Sequence, residues 1–197
     1  MNLKLRIASH WIPSIFLIPE IDRVAEVTVK CLDQLLEKYE RYNSISKKEL
    51  KMEGNIEERR KIMANAHNVR VKKLIDYLGY DDAQLIGRKA LFKAGLILGR
   101  EAKERLGVGS SLQDLIRAAR ILYRVLGIKF EINESGGKIK ITVYKCSLSD
   151  YYTFETCRIL SAADEGVVQG LNENINMKFT ERMTEGHSEC VACINQI

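Results

Sequence analysis

Proline and aromatic residues are scarce in this 197-residue chain, with 2 prolines, 1 tryptophan and 7% aromatics in all. Both prolines, Pro13 and Pro19, lie near the start, so no later helix is broken by a proline ring. No apolar run approaches the roughly 18 residues that a membrane-spanning helix needs. The longest candidate, Trp11 to Ile18, is interrupted by Pro13 and followed by Pro19. Lys4 and Arg6 precede it, but no small-residue cleavage site follows, so neither a secretion signal nor a membrane partner is expected. A glycine-rich phosphate loop, a paired-histidine zinc motif and a nucleophile elbow are all missing, which disfavours nucleotide-driven and α/β-hydrolase chemistry. An odd number of cysteines, 5, without a secretion signal fits a reducing cytoplasm, the expected location. There thiols serve as metal ligands, catalytic groups or buried apolar filler rather than as disulfides.

The net charge is +5, and the basic excess falls within residues 1–100. Lysines and arginines cluster between Lys47 and Lys73, but Glu49, Glu53, Glu57 and Glu58 are interleaved with them and aromatic residues are few. That pattern describes the solvated face of a helical pair, and no nucleic-acid partner is expected.

Apolar residues from Ile21 to Tyr42 recur at helical spacing, a polar linker covers 43–55, and a second helix follows from Ile56 to Leu78 before Gly79. These helices, residues 1–80, are expected to form an arm. Its stripe of Val27, Leu32, Leu35 and Tyr39 would supply a homodimer contact. Residues 81–197 form the second unit. Asp81 and Asp82 open a helix running from Ala83 to Leu106, stopped by Gly107. Gly95 and Gly99, four apart, leave a notch for either a neighbouring helix or a ligand pressed against backbone. Ser111 caps the next helix, and two alternating segments around Asn133 to Gly137 make a hairpin. A helix near 150–172 and a hairpin from Met177 to Ile194, turning at Glu185 to His187, complete an α+β fold. Its helices pack on an antiparallel sheet and enclose a ligand pocket.

Four of the five cysteines, Cys146, Cys157, Cys190 and Cys193, fall in the last part of the chain, and Cys31 stands apart. Cys157 and Asp164 are seven apart on one helix face, with Leu160 and Ser161 between them, so a thiol and a carboxylate line one surface. Beside Arg158, Arg182 or His187 the thiol would be activated as a nucleophile, or the carboxylate would orient water. The alternative is that Cys157 is a small buried hydrophobe and Asp164 a surface charge. Cys190 and Cys193, three apart in a strand, point to opposite faces and so do not chelate together. The better metal set is Cys146, Cys157 and Cys190, for zinc or iron. His10 and His67 read as ordinary surface or capping residues.

The helix carrying Gly95 and Gly99, Cys146 ending the second strand, Cys157 followed by Ala163-Asp164-Glu165-Gly166, and Glu185-Gly186-His187-Ser188-Glu189-Cys190 resemble, in order and spacing, the L-2-amino-thiazoline-4-carboxylic acid hydrolase-like family. More distantly they are similar to the 4-vinyl-reductase small-molecule-binding domains. The resemblance covers about Gly87 to Ile194. It implies helices covering one side of an antiparallel sheet around a pocket, shared with haem-based nitric-oxide-binding domains. In the zinc-containing sensors of the 4-vinyl-reductase type, the metal site has two outer cysteines, matched here by Cys157 and Cys190. Phe179 and Arg182 stand where its inner pair would be.

The residues and the resemblance together imply a protein that binds a small molecule and hydrolyses a carbon–nitrogen bond in a heterocyclic or carboxylated compound. Cys157, Asp164 and His187 are the catalytic candidates, and Gly95, Gly99 and Arg182 the ligand-binding ones. The alternative is a non-catalytic sensor or carrier of a hydrophobic small molecule with a cysteine-bound metal.

Overall fold

In the computed structural model, which describes Leu5, Ser9 and residues 13–39, 50–135 and 138–196, a long helix α1 runs over Ile18–Tyr39. Its buried residues Ile21, Ala25, Leu32 and Leu36 recur at helical spacing and form one face. Most of the expected linker, and His10, Lys47 and Lys48 with it, lies outside the described residues. Helix α2, Ile56–Leu78, begins on a reciprocal cap. The Asn55 side chain accepts from the backbone N–H groups of Glu57 and Glu58 at 2.9 and 3.1 Å, and the Glu58 carboxylate accepts from Asn55 N–H at 2.7 Å. Gly79, at φ 78, ends α2 and leads directly into α3, Tyr80–Leu106, which stops at the left-handed Gly107.

Ser111 caps α4, Leu112–Val125. Strands β1, Ile128–Ser135, and β2, Lys138–Cys146, then pair as a hairpin. Helix α5, Phe154–Leu171, starts at the Thr153 cap, and β3, Ile175–Glu181, is joined to β4, Cys190–Gln196, through a short 3-10 turn at Met183–Glu185. The four strands form one antiparallel sheet in the order β1-β2-β4-β3. The α+β class is therefore as the element order indicates. Among the described residues no helix is long and apolar enough to cross a membrane.

The inner face of the sheet, with Ile141, Val143, Met177, Ala192 and Ile194, packs on α4 through Leu115, Ala118 and Ile121 and on α5 through Val168 and Leu171. Helices α1 and α2 do not stand apart as an arm. Ile21, Ala25, Met63 and Ala64 close over Val125 and Leu148, and Leu32 and Val71 pack on Leu91, Ile159 and Leu160. Leu32 is 1% exposed, and Leu35 and Tyr39 pack against Leu36, Leu74 and Ala83. The stripe on which the homodimer expectation rested is largely spent inside the chain, because burying it on the nearest apolar surface needs no second copy.

Helices α3 and α5 approach closely through four glycines. A Cβ on Gly95 would lie 2.0 Å from the Ala163 carbonyl oxygen, and one on Gly99 would lie 2.3 Å from that of Val167. Conversely, Cβ atoms on Gly166 and Gly170 would meet the carbonyls of Phe92 and Leu96 at 2.1 and 2.5 Å. The notch holds a helix backbone. An alanine normally stabilises a helix by about 1 kcal/mol relative to glycine. At Gly95 or Gly99 the sign should reverse, with a net loss of roughly 1–3 kcal/mol from overpacking. A lower urea midpoint for Gly95→Ala is the expected result; a raised midpoint would show that the backbones do not touch.

Candidate functional site: a buried cavity behind the sheet

Between α1, α2, α4, α5 and the strands lies a cavity of about 90 Å³, room for several water molecules or a small organic group. Val24, Met63, Leu126, Val143, Leu148 and Leu160 make most of its wall apolar. The polar groups facing it are few: three thiols, Asp164, Arg182, two tyrosines, His67 and the hydroxyls of Thr28 and Ser161.

Five residues singled out from the sequence meet here. Helix α5 delivers Cys157 and Asp164 from one face with Leu160 and Ser161 between them, as their spacing requires. Cys146 arrives from the end of β2, Cys190 from the start of β4 and Arg182 from the turn before it. Four others are elsewhere. Gly95 and Gly99 face the α5 backbone, so they position the cavity wall without touching its contents. His187 is on the surface, 47% exposed, with Nδ1 at 3.6 Å from the Glu181 carboxylate, because the 3-10 turn carries it away from the cavity mouth. Cys193 lies on the far face of β4, opposite Lys140 and Lys178 in the register, as the strand alternation requires.

Burial dominates the chemistry of these groups. It pushes the Cys146 thiol up to about 12 and the Cys157 thiol up to about 11, the latter against the opposing pull of the Thr184 hydroxyl and Arg182. Cys190 is also raised by burial, although the Met183 N–H, 3.3 Å from its sulfur, and Arg182 favour the thiolate. All three are neutral thiols at physiological pH and therefore poor nucleophiles. Among the described residues no three of His, Cys, Asp and Glu come close enough together to hold a metal ion. Arg182 adds a fixed positive charge, stacked 5.5 Å from the Phe179 ring, which repels a divalent cation. The zinc or iron expectation therefore does not fit these residues.

Asp164 is raised to about 7, first by burial and then by the neighbouring charge of Glu165. Its residual surface faces the cavity, so the carboxyl behaves as a buried group. Glu165 itself is held by Arg88, whose Nη2 donates to both carboxylate oxygens at 2.9 and 2.8 Å. Ser161 joins the cations: its hydroxyl donates to the Arg158 carbonyl at 3.1 Å and accepts from Arg88 at 3.2 Å and from Arg182 at 3.1 and 3.3 Å. Arg182, 6% exposed, is thereby fixed at the cavity edge.

Sequence reasoning missed four polar lining residues, His67, Thr28, Tyr152 and Tyr123. His67 is 1% exposed and belongs to the buried face of α2 with Met63, Ala64, Val71 and Leu74. That helical spacing was the signal available to find it. Its proton placement follows from its partners. The Thr28 hydroxyl donates its single proton to the Val24 carbonyl at 2.6 Å, so it accepts from His67 Nε2 at 2.8 Å. Nδ1 is then the acceptor for the Tyr152 hydroxyl at 2.8 Å, which leaves the Tyr152 oxygen with only lone pairs to offer. Burial, with the charge of Arg70, lowers His67 to about 3, so this neutral tautomer persists across physiological pH. Tyr123, 6% exposed, differs again: among the described residues its hydroxyl has no hydrogen-bond partner.

With this geometry in hand, comparison with known proteins is informative. A family model described as L-2-amino-thiazoline-4-carboxylic acid hydrolase matches residues 59–194. No curated protein sequence is similar enough to count as a match. Among solved structures, a trafficking protein particle complex subunit 3 from Naegleria fowleri, covalently bound to palmitic acid, superposes with a TM-score of 0.56 at 14% identity. The match covers 70% of this chain and 95% of that one. The phenol-responsive sensory domain of the transcription activator PoxR, with phenol, gives 0.51 at 13% identity, covering 85% and 89%. At such identities the likeness is one of fold.

His67 and Asp164 impose opposite pH dependences. Between pH 6.5 and about 3 the unfolded chain protonates His67 and the folded chain does not, so stability falls as pH falls. Between pH 3.8 and about 7 the folded chain keeps an Asp164 proton that the unfolded chain releases, so stability falls as pH rises. Where the windows overlap the two oppose each other. Urea titrations of Asp164→Asn should show stability rising from pH 4 to 6.5 by up to ~1.4 kcal/mol per pH unit, and His67→Gln should show the reverse slope. Parallel slopes in the two variants would refute the assigned burial.

Proposed function

The chain belongs to the L-2-amino-thiazoline-4-carboxylic acid hydrolase family, and from that premise we propose that it holds a small, mostly apolar molecule with one or two polar groups in the cavity behind the sheet. The observation that carries this reading is Tyr123. A buried hydroxyl without a partner costs roughly 1–3 kcal/mol, which a ligand supplying the missing hydrogen bond recovers. Tyr152 offers an acceptor, Asp164 a donor below about pH 7, and Arg182 a charge suited to a carboxylate. Phenol and palmitic acid in the two neighbours of similar fold support an apolar occupant.

A catalytic version rests on Asp164, whose near-neutral pKa suits proton transfer at physiological pH. As general base it takes a proton from water whose oxygen attacks the ring carbon. It returns that proton to the ring nitrogen, and as the carbon–nitrogen bond breaks the proton of the newly added hydroxyl follows by the same route, leaving a carbonyl and a free amine. Cys157 is too weak an acid to supply the nucleophile, and His187 is too far out to assist. Without a reacting substrate the same pocket serves a sensor or carrier.

Isothermal titration with L-2-amino-thiazoline-4-carboxylic acid and with phenol, followed by chromatography for ring opening, separates these versions. At least one compound should bind at one site, and Tyr123→Phe should weaken it about 5–10-fold. If turnover occurs, Asp164→Asn should abolish it while retaining affinity, and Cys157→Ser should leave both within about twofold. Affinity unchanged by Tyr123→Phe would overturn the reading.

A further inference from the structure

On the other side of the wall that closes the cavity lies an open groove of about 620 Å³, within the roughly 300–1,000 Å³ of small-molecule sites. Ile128 lines both spaces. Elsewhere the same segments alternate: Tyr123, Cys146 and Leu148 face the cavity, whereas Arg124, Lys145 and Ser147 face the groove. Five cationic side chains from four elements converge there: Arg60 of α2, Arg120 and Arg124 of α4, Lys129 of β1 and Lys145 of β2. Among the described residues Glu57 is the single carboxylate in the lining, and it is already engaged by Arg60 and by the Ser147 hydroxyl, whose pull outweighs partial desolvation and lowers its pKa.

Three features of the fold make this more than a solvated surface. Lys129 and Lys145 are paired directly across the β1–β2 ladder, an arrangement of like charges that destabilises a sheet. The register then shifts so that Phe130 pairs with Val143, and Tyr144 is the extra, unpaired residue. A bulge of this kind re-aims a side chain, and Tyr144 stands 49% exposed in the groove. Arg60 is 8% exposed and tied to the Val125 and Arg124 carbonyls, so one guanidinium of the cluster is rigidly seated beneath the others. A cleft lined by one sign of charge focuses its field on an incoming ion of the other sign.

We propose that this groove binds a small molecule carrying phosphate beside a flat ring, of the nucleoside-phosphate class, through side-chain cations and a stacked Tyr144. A single carboxylate would neutralise only one of the cations, whereas a phosphate ester brings two or more negative charges and accepts paired N–H donors from arginine. Tyr144 supplies the ring face. The volume favours a small ligand over a polymer.

The test is titration calorimetry of the full chain with ADP, adenosine and inorganic pyrophosphate at low and moderate salt. ADP should bind at one site and weaken as salt rises, with adenosine and pyrophosphate each at least ~10-fold weaker. The Lys129→Gln/Lys145→Gln double variant, which relieves the like-charge pair and so keeps the fold, should lose at least ~10-fold for ADP. Tyr144→Ala should lose ~5–10-fold for ADP and nothing for pyrophosphate. Tyr123→Phe, in the cavity, should leave ADP affinity unchanged. Absence of ADP binding at low salt, or ADP affinity unaltered in the double variant, would overturn the proposal. So would pyrophosphate binding as tightly as ADP, or a single-stranded oligonucleotide binding far more tightly than ADP.

Discussion

The close contact of α3 with α5 is the constraint on which the rest of the molecule depends. Because Gly95 and Gly99 face the carbonyls of Ala163 and Val167 with no side chain between, α5 is fixed in both rotation and translation against α3. Rotation decides which residues α5 turns toward the sheet. With the glycine stripe committed to α3, the stripe of Cys157, Ser161 and Asp164 faces the opposite way, into the cavity. The sheet then closes over it, supplying Cys146, Phe179 and Cys190.

Once closed, the cavity sets the protonation of what it contains. The same burial that holds three thiols neutral also keeps His67 neutral and raises Asp164 into the range where it can exchange a proton. Among the described residues no thiolate nucleophile and no cation-binding cluster emerges, despite three cysteines around one space. What remains is a pocket of apolar walls and directional hydrogen-bonding groups, with Tyr152 oriented by the His67–Thr28 relay and Arg182 by Ser161.

Helices α1 and α2 complete the enclosure. Thr28 and His67 belong to the residues expected to form a separate arm, yet both line the cavity, and Arg60 reaches the carbonyls at the end of α4. The apolar faces of these helices serve as a lid on the pocket, which explains why a buried polar relay runs through them.

The sequence by itself determined the element order, the α+β class and the family. Capping residues such as Asn55 and Ser111, glycine stops at Gly79 and Gly107, and alternation in the strands are local signals, and each acts within a few residues. The face shared by Cys157 and Asp164 was legible for the same reason, since helical spacing fixes it. Only the tertiary structure decided which faces meet. It assigned the glycine notch to a helix, moved His187 to the surface, and buried His67 and Tyr123 beside Asp164. It also fixed the charge states of the thiols, because desolvation depends on neighbours distant in the chain.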